Sequence, residues 1–290
     1  MDAPQANDRP DANESSGMKR LIKSWIPPAI LNAVRGMYSD DIQFQGRFST
    51  WESARNASSG YDDEVIFKKS RVAALKVKNG EVVYERDSVL FDHVEFSYPI
   101  LSGLLRSACG RSGHLRVLDF GGSFGTTYRQ FKAFVRPSVS VRWHIVEQPR
   151  VVEAGQAEFA DEALKFFHTL EEAAGAEAPD VVLLSSVLQY VPNPYDLIRD
   201  ICSLGAGSIV VARTPCARAE HDVLTVQTVP PSIYKASYPC WIFAEAKLLE
   251  AFSATYRLVA SFQEPGGSWQ SNQGPFELRG FILERKSSSR

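Results

Sequence analysis

The chain is 290 residues long, 44% apolar and 23% charged, with a net charge of -2 at neutral pH. That length allows one large domain or one domain with an appendage, and the composition is that of an ordinary globular protein. The charge balance gives nucleic acid no electrostatic reason to be a partner. Cys109, Cys202, Cys216 and Cys240 have neither disulfide-framework nor zinc spacing, so no metal is expected.

Residues 1–17 are polar and acidic and read as a disordered tail, without the basic and apolar regions of a signal peptide. With no apolar run near the roughly 20 residues of a spanning helix, a cytoplasmic protein is expected. Residues 19–35 set Leu21, Ile22, Trp25, Ile26, Ile30, Leu31 and Val34 among four cations. The segment reads either as an amphipathic contact with a membrane surface or as a helix broken at Pro27-Pro28 and packed on the protein body.

FSTWESARNAS reads as a surface loop leading into a helix, and YDDEVIFKKSRVAALKVKNG as a helix stopped at Gly80. ERDSVLFDHVEFSYPILSGLLRSACGRSG reads as a second helix, capped by Asp87 or Ser88 and kinked at Pro99. Residues 18–110 are therefore expected to be an N-terminal helical region, ahead of a domain at 111–286 and a tail at 287–290.

From His114 the period changes. HLRVLDFGG, VRWHIVEQP, LKFFHTL, DVVLLSSVLQYV and GSIVVARTP are apolar strand candidates, separated by helical stretches. This alternation predicts an open α/β sheet with helices on both faces. Residues 214–243 form an aromatic-rich insertion, expected as a lid, and WQSNQGPFELRGFILERK closes the chain as a hairpin strand. Such a close favours a methyltransferase-type sheet over a dehydrogenase one.

The chemistry-bearing run is V-L-D-F-G-G-S-F-G. Gly121, Gly122 and Gly125 permit a tight turn and close ligand approach around Ser123. The pattern is not G-x-G-x-x-G, because Phe120 stands at the first glycine position. Asp119 at the strand end would repel a pyrophosphate but suits the cationic methionine end of S-adenosylmethionine. Glu147, followed by Gln148 at the tip of the next strand, is placed to accept ribose hydroxyls. Ser185 and Ser186 end the fourth strand, beside the crevice where such sheets bind ligands, with Gln189 and Tyr190 as acceptor contacts. The serines read equally as turn caps and Tyr190 as core.

For proton abstraction His221 is preferred over His93, with Asp222 as its partner, against a bland surface histidine. His114, His144 and His168 read as surface or strand residues. Arg213 lies where it would bind an anionic acceptor or form a salt bridge. Tyr234, Tyr238 and Trp241 read as sugar-stacking faces of the lid or as core.

Together V-L-D-F-G-G-S-F-G-T-T-Y, H-I-V-E-Q-P, D-V-V-L-L-S-S-V-L-Q-Y-V and T-V-P-P-S-I-Y-K-A-S-Y-P-C-W resemble a bacterial family of S-adenosylmethionine-dependent methyltransferases found with surface-polysaccharide biosynthesis. The likeness runs from about Phe48 to the end. It implies a Rossmann-like class I methyltransferase sheet with an N-terminal helical extension and a lid insertion. It also implies the class of enzyme, with S-adenosylmethionine as cofactor, and carries little about the substrate; the leading reading is a small-molecule or glycan acceptor methylated at oxygen. No catalytic residue is carried over from it. Two other readings stand beside it: an NAD-dependent oxidoreductase of nucleotide sugars, and a non-catalytic S-adenosylmethionine-binding assembly protein. Nothing in the residues sets the oligomeric state.

Overall fold

A computed structural model describes residues 42–59, 63–86, 88–109, 113–136, 139–229 and 236–287. The expected tail at 1–17, the basic segment at 19–35, Asp87 and Tyr234 lie outside the described residues.

The chain opens with β1 (Gln43–Phe48), α1 (Trp51–Ala57) and α2 (Asp63–Lys78), followed by β2 (Tyr84–Arg86), β3 (Val89–Phe91) and α3 (Tyr98–Cys109). An α/β succession follows: β4 (His114–Phe120), α4 (Thr126–Phe134), β5 (Ser140–Val146), α5 (Pro149–Glu158), β6 (Leu164–Phe167), α6 (Leu170–Ala176) and β7 (Val181–Ser185). After a short 3-10 turn, Leu188–Tyr190, come α7 (Pro194–Ser203) and β8 (Ser208–Ala217). The last elements are β9 (Val223–Val229), β10 (Ala236–Ala244), α8 (Glu245–Ser253), β11 (Tyr256–Ser271) and β12 (Gly274–Arg285).

Strands β6, β5, β4, β7 and β8 lie side by side in that order and parallel. Antiparallel β12 then pairs with β8, and β11 with β12. This is the Rossmann-like α/β sheet closed by a hairpin that the sequence pattern predicts. Its strands are apolar because helices cover both faces: Val181, Val182, Leu183 and Leu184 are all fully buried. Leu101, Leu104, Phe131 and Trp143 fill one side, and Leu118, Ile198, Phe243 and Leu248 the other.

The expected boundary at residue 110 is not where the fold divides. Residues from Ile42 onward form one compact unit. Helix α3 is part of the main core: a Cβ on Gly103 would stand 2.7 Å from Val210 Cγ2 of β8. Nor is the region ahead of it purely helical. Strand β1 pairs with β9, and β2 and β3 form a hairpin where a second helix was expected. Ser88, expected as a helix cap, sits in that hairpin turn at φ 69°. Pro99 falls in the first turn of α3, where its missing N–H has no intrahelical partner to lose, so it starts the helix rather than kinking it. Trp51–Ala57 is already helix, begun by a capping box between Thr50 and Ser53.

The stretch expected as a lid is built as sheet. Strand β8 runs on past the end of β7, meets β10 at Cys216↔Phe243, and extends through β9 to β1. Among the described residues no helix is long and apolar enough to cross a membrane.

Candidate functional site

The strand order reverses between β4 and β7: β5 and β6 lie beyond one, and β8 beyond the other. Such a switch point opens a crevice at the carboxyl ends of the strands. The crevice is marked by unusual backbone. Among the described residues, positive φ at non-glycine positions occurs at Ser88, Ser123, Ser186 and Arg213. The last three follow or lie within β4, β7 and β8 at this edge. Strained backbone of this kind persists where the surroundings over-determine it, and it clusters at functional sites.

The glycine turn is held from three sides. Gly121 at φ 75° donates its N–H to Val146 O at 2.9 Å, and a Cβ there would be 2.6 Å from Val187 Cγ2 beyond β7. A Cβ on Gly122 would be 2.5 Å from Asp119 Oδ2. Gly125 at φ 83° caps α4, with Leu164 3.1 Å from its missing Cβ. The turn is therefore a cradle that larger residues would fill.

Asp119 is buried below the turn and accepts from Trp143 Nε1 at 3.0 Å. Burial pushes its pKa up to about 7, against the Trp143 hydrogen bond and with the help of the Glu147 charge. Glu147, half-buried at the tip of β5, accepts from Ser123 N at 3.1 Å through Oε1 and from Gln148 N at 2.9 Å through Oε2. Its pKa is raised by burial, with both backbone donors pulling the other way. Gln148 contributes that N–H while its side chain stays exposed at the start of α5. Thus Asp119, Gly121, Gly122, Ser123, Gly125, Glu147 and Gln148 lie together around one turn.

On the other side of the crevice, Ser185 ends β7 opposite Ala212, and Ser186 turns the chain. Gln189 is buried, and its Nε2 reaches Ser186 Oγ at 3.1 Å and Arg213 O at 3.3 Å. The long apolar strand expected through Val191 stops at Ser185, because Ser186 leaves the extended region at φ 57°.

Tyr190, Gln227 and Tyr238 form a polar aromatic cluster. Tyr190 donates to Gln227 Oε1 at 3.0 Å and meets Tyr238 edge-on, with centroids 5.3 Å apart. Trp241 spends its indole N–H on Val191 O at 3.2 Å and lines a different cleft of ≈ 330 Å³ with Asn193, Tyr195, His221, Asp222 and Lys247.

The expected His221–Asp222 dyad is corrected here. The Asp222 side chain is turned inward, accepting from Ala244 N at 2.9 Å, Tyr195 Oη at 2.9 Å and Lys247 Nζ at 2.6 Å. His221 stays exposed at the cleft rim. Of the other histidines, buried His144 bonds its ring Nδ1 to Ala173 O at 3.0 Å.

Sequence reasoning missed Trp143 as the Asp119 donor, Gln227 as the link between the tyrosines, and Glu264. The carboxylate of Glu264 is buried on β11 and accepts the Arg213 backbone N–H. Its one sequence signal is Glu264-Pro265-Gly266-Gly267 inside a strand pattern, a composition that marks a bulge.

No family model and no curated protein matches the chain. Solved structures similar to it include the N-terminal domain of EvdMO1 in the presence of SAH and D-fucose, at 13% identity, 78% of this chain, 98% of that chain and TM-score 0.44. Another is the Burkholderia thailandensis 1,6-didemethyltoxoflavin-N1-methyltransferase, at 14% identity, 79% and 92% coverage and TM-score 0.43. A third is an S-adenosylmethionine-dependent methyltransferase from Clostridium acetobutylicum, at 7% identity, 67% and 93% coverage and TM-score 0.43. These are likenesses of chain course at low identity, and the chemistry has to be read from the chain's own turn and strand ends.

Proposed function

We propose that the chain is an S-adenosylmethionine-dependent methyltransferase acting on a hydroxyl of a sugar or glycan precursor. The observation that carries this reading is the pair of carboxylates at one glycine turn. In dinucleotide-binding sheets the turn's free N–H groups and the helix start receive a pyrophosphate. Here Glu147 already accepts the Ser123 N–H at 3.1 Å, and Asp119 lies directly below. With one turn N–H already taken by Glu147 and a buried acid beneath it, the turn suits a ligand that is cationic at this end better than a phosphate.

The cradle also fits such a ligand by shape, since Gly121 and Gly122 have no room for side chains. When bound, S-adenosylmethionine supplies a methyl group on a positively charged sulfur. The turn, with Asp119 supporting it from below, would hold the methionine end, and Glu147 has lone pairs left for ribose hydroxyls. Ser185, Ser186 and Gln148 edge the same crevice. Tyr190 and Tyr238 offer aromatic bodies with polar tips, the surface that stacks on a sugar ring. The surface-polysaccharide setting and a cytoplasmic site of action rest on the sequence resemblance and composition.

Calorimetric titration of the full chain with S-adenosylmethionine, S-adenosylhomocysteine and NAD tests the reading. Binding of the first two and not the third is expected. Free and nucleotide-linked sugars are then scored for release of S-adenosylhomocysteine. NAD binding in their place would make the protein an oxidoreductase, and cofactor binding without turnover of any sugar would make it a binding protein.

A further inference from the structure

The cleft at Trp241 has a floor and a rim that the cofactor turn does not use. Asn193, Tyr195, His221, Asp222, Trp241 and Lys247 line ≈ 330 Å³ of space there. That volume lies at the lower end for small-molecule sites and suits one ring-sized group. The floor is aromatic. Trp241 is fixed by the bond from its indole N–H to Val191 O at 3.2 Å, which leaves the ring without a free polar atom. Tyr195 has one face covered by Lys247, whose Nζ lies 4.7 Å from the ring centroid. Half-buried Trp241 is therefore the ring with a face to offer a ligand.

The rim is polar, and its acids are paired with cations. Asp222 accepts from Lys247 Nζ at 2.6 Å, and Asp196 pairs with Arg199 at 2.9 Å. Neither a phosphate nor a metal ion finds an unmatched Lys or Asp here. What remains is hydrogen-bonding capacity. Asn193 is the cap residue of α7, yet its exposed side chain makes no capping bond. An Asn in that position ordinarily spends its oxygen on the helix start. The exposed His221 ring likewise has no hydrogen-bond partner among the described residues.

An amide and an imidazole each combine donor with acceptor, and an ammonium keeps donors beyond its one bond. The matching group presents an apolar face to Trp241 and, around its edge, atoms that both donate and accept. Hydroxyls do both. A neutral sugar ring has this form.

The cleft adjoins the crevice through one segment. Tyr190, which meets Tyr238 edge-on, immediately precedes Val191, and Pro192 already lines the cleft. Even fully extended, the chain from Ser186 at the crevice to Pro192 reaches only about 20 Å. We propose that the cleft holds a second sugar unit of the acceptor, one that is not itself methylated. The substrate is then an oligosaccharide or glycan rather than a single sugar. This rests on the sugar-methyltransferase reading above.

The test is calorimetric titration of the full chain, loaded with S-adenosylhomocysteine, with free hexoses, 6-deoxyhexoses and disaccharides built from them. A disaccharide should bind roughly tenfold more tightly than either of its component sugars. The double variant N193A/H221A loses two exposed, unbonded side chains, so it should melt like the native chain. It should lose that tenfold gain while binding the single sugar and S-adenosylhomocysteine as before. Equal affinity for disaccharide and single sugar overturns the subsite, as does a disaccharide preference that survives in the double variant. Binding of S-adenosylhomocysteine with no binding of any sugar overturns the subsite and the sugar acceptor together, and leaves the cofactor reading standing. Failure to bind S-adenosylhomocysteine overturns the methyltransferase reading itself. Should the double variant not fold, H221A alone repeats the comparison, with a roughly threefold loss expected and no loss ending the proposal.

Discussion

The indole N–H of Trp143 donates to the buried Asp119 carboxylate at 3.0 Å, directly below the glycine turn. The bond crosses from β5 to β4 and is the one stabilising contact set against the burial of that acid. Asp119 has a folded pKa of about 7, above its ordinary value of 3.8. Between those values the native chain holds a proton that the unfolded chain has lost, so stability from this group falls as pH rises. The penalty is complete above pH 7. Asp119→Asn should therefore melt like the native chain near pH 4 and above it at pH 8, by an amount on the order of a few kcal/mol. Melting curves of both chains from pH 4 to 8 check this. A difference that does not change with pH would mean that Asp119 stays ionised in the fold.

The cradle makes a steric prediction. A methyl on Gly122 would stand 2.5 Å from Asp119 Oδ2, whereas one on Gly175 would meet nothing within 4 Å. Gly122→Ala should cost about 1–3 kcal/mol and remove cofactor binding. Gly175→Ala, inside helix α6, should stabilise by about 0.5–1 kcal/mol and leave binding alone. Chemical denaturation and calorimetry read both effects. Equal behaviour of the two variants would show that the turn is not closely packed.

Glu147 has two jobs, and two substitutions separate them. It holds the Ser123 N–H in a left-handed turn, and it offers its lone pairs to a ribose. Glu147→Ala should weaken S-adenosylmethionine by about 1–3 kcal/mol. Glu147→Gln, which retains a carbonyl oxygen for Ser123, should fall between the two. Calorimetry showing native affinity for Glu147→Ala would remove Glu147 from the site.

How much of this was legible depended on whether the signal was local. Strands β4 to β8 announce themselves as apolar runs because helices cover both faces, and the turn residues from Asp119 to Gly125 are consecutive. The sheet partner of β1 is not local. QFQGRF is polar, carries Gly46 at φ 83°, and becomes a strand only because β9 offers it an edge. The hairpin of β2 and β3 was read as helix because Val89, Leu90 and Phe91 follow a plausible cap, and their tertiary placement overrides that pattern. Glu264 was invisible because its burial depends on a bulge at Arg213, some fifty residues earlier on another strand. His221 and Asp222 misled for the opposite reason: adjacency in sequence suggested a dyad, while the strand that follows turns Asp222 inward.

That inward turn is itself testable. The Asp222 side chain is 6% exposed, and it ties β9 to the start of α8 and to Tyr195 of α7. Burial pushes the Tyr195 hydroxyl pKa up, followed by the Asp222 hydrogen bond, so the phenol stays a donor to Asp222. Asp222→Ala strands the Ala244 N–H and the Tyr195 hydroxyl and should cost about 2–4 kcal/mol, with half-exposed Lys247 relaxing into water. His221→Ala touches none of these bonds and should stay within about 0.5 kcal/mol of the native chain. Urea denaturation of both variants gives the stabilities, and turnover of His221→Ala with any sugar the native chain accepts gives the chemistry. A hundredfold loss of kcat/KM in a fully stable His221→Ala would return the proton abstraction to His221.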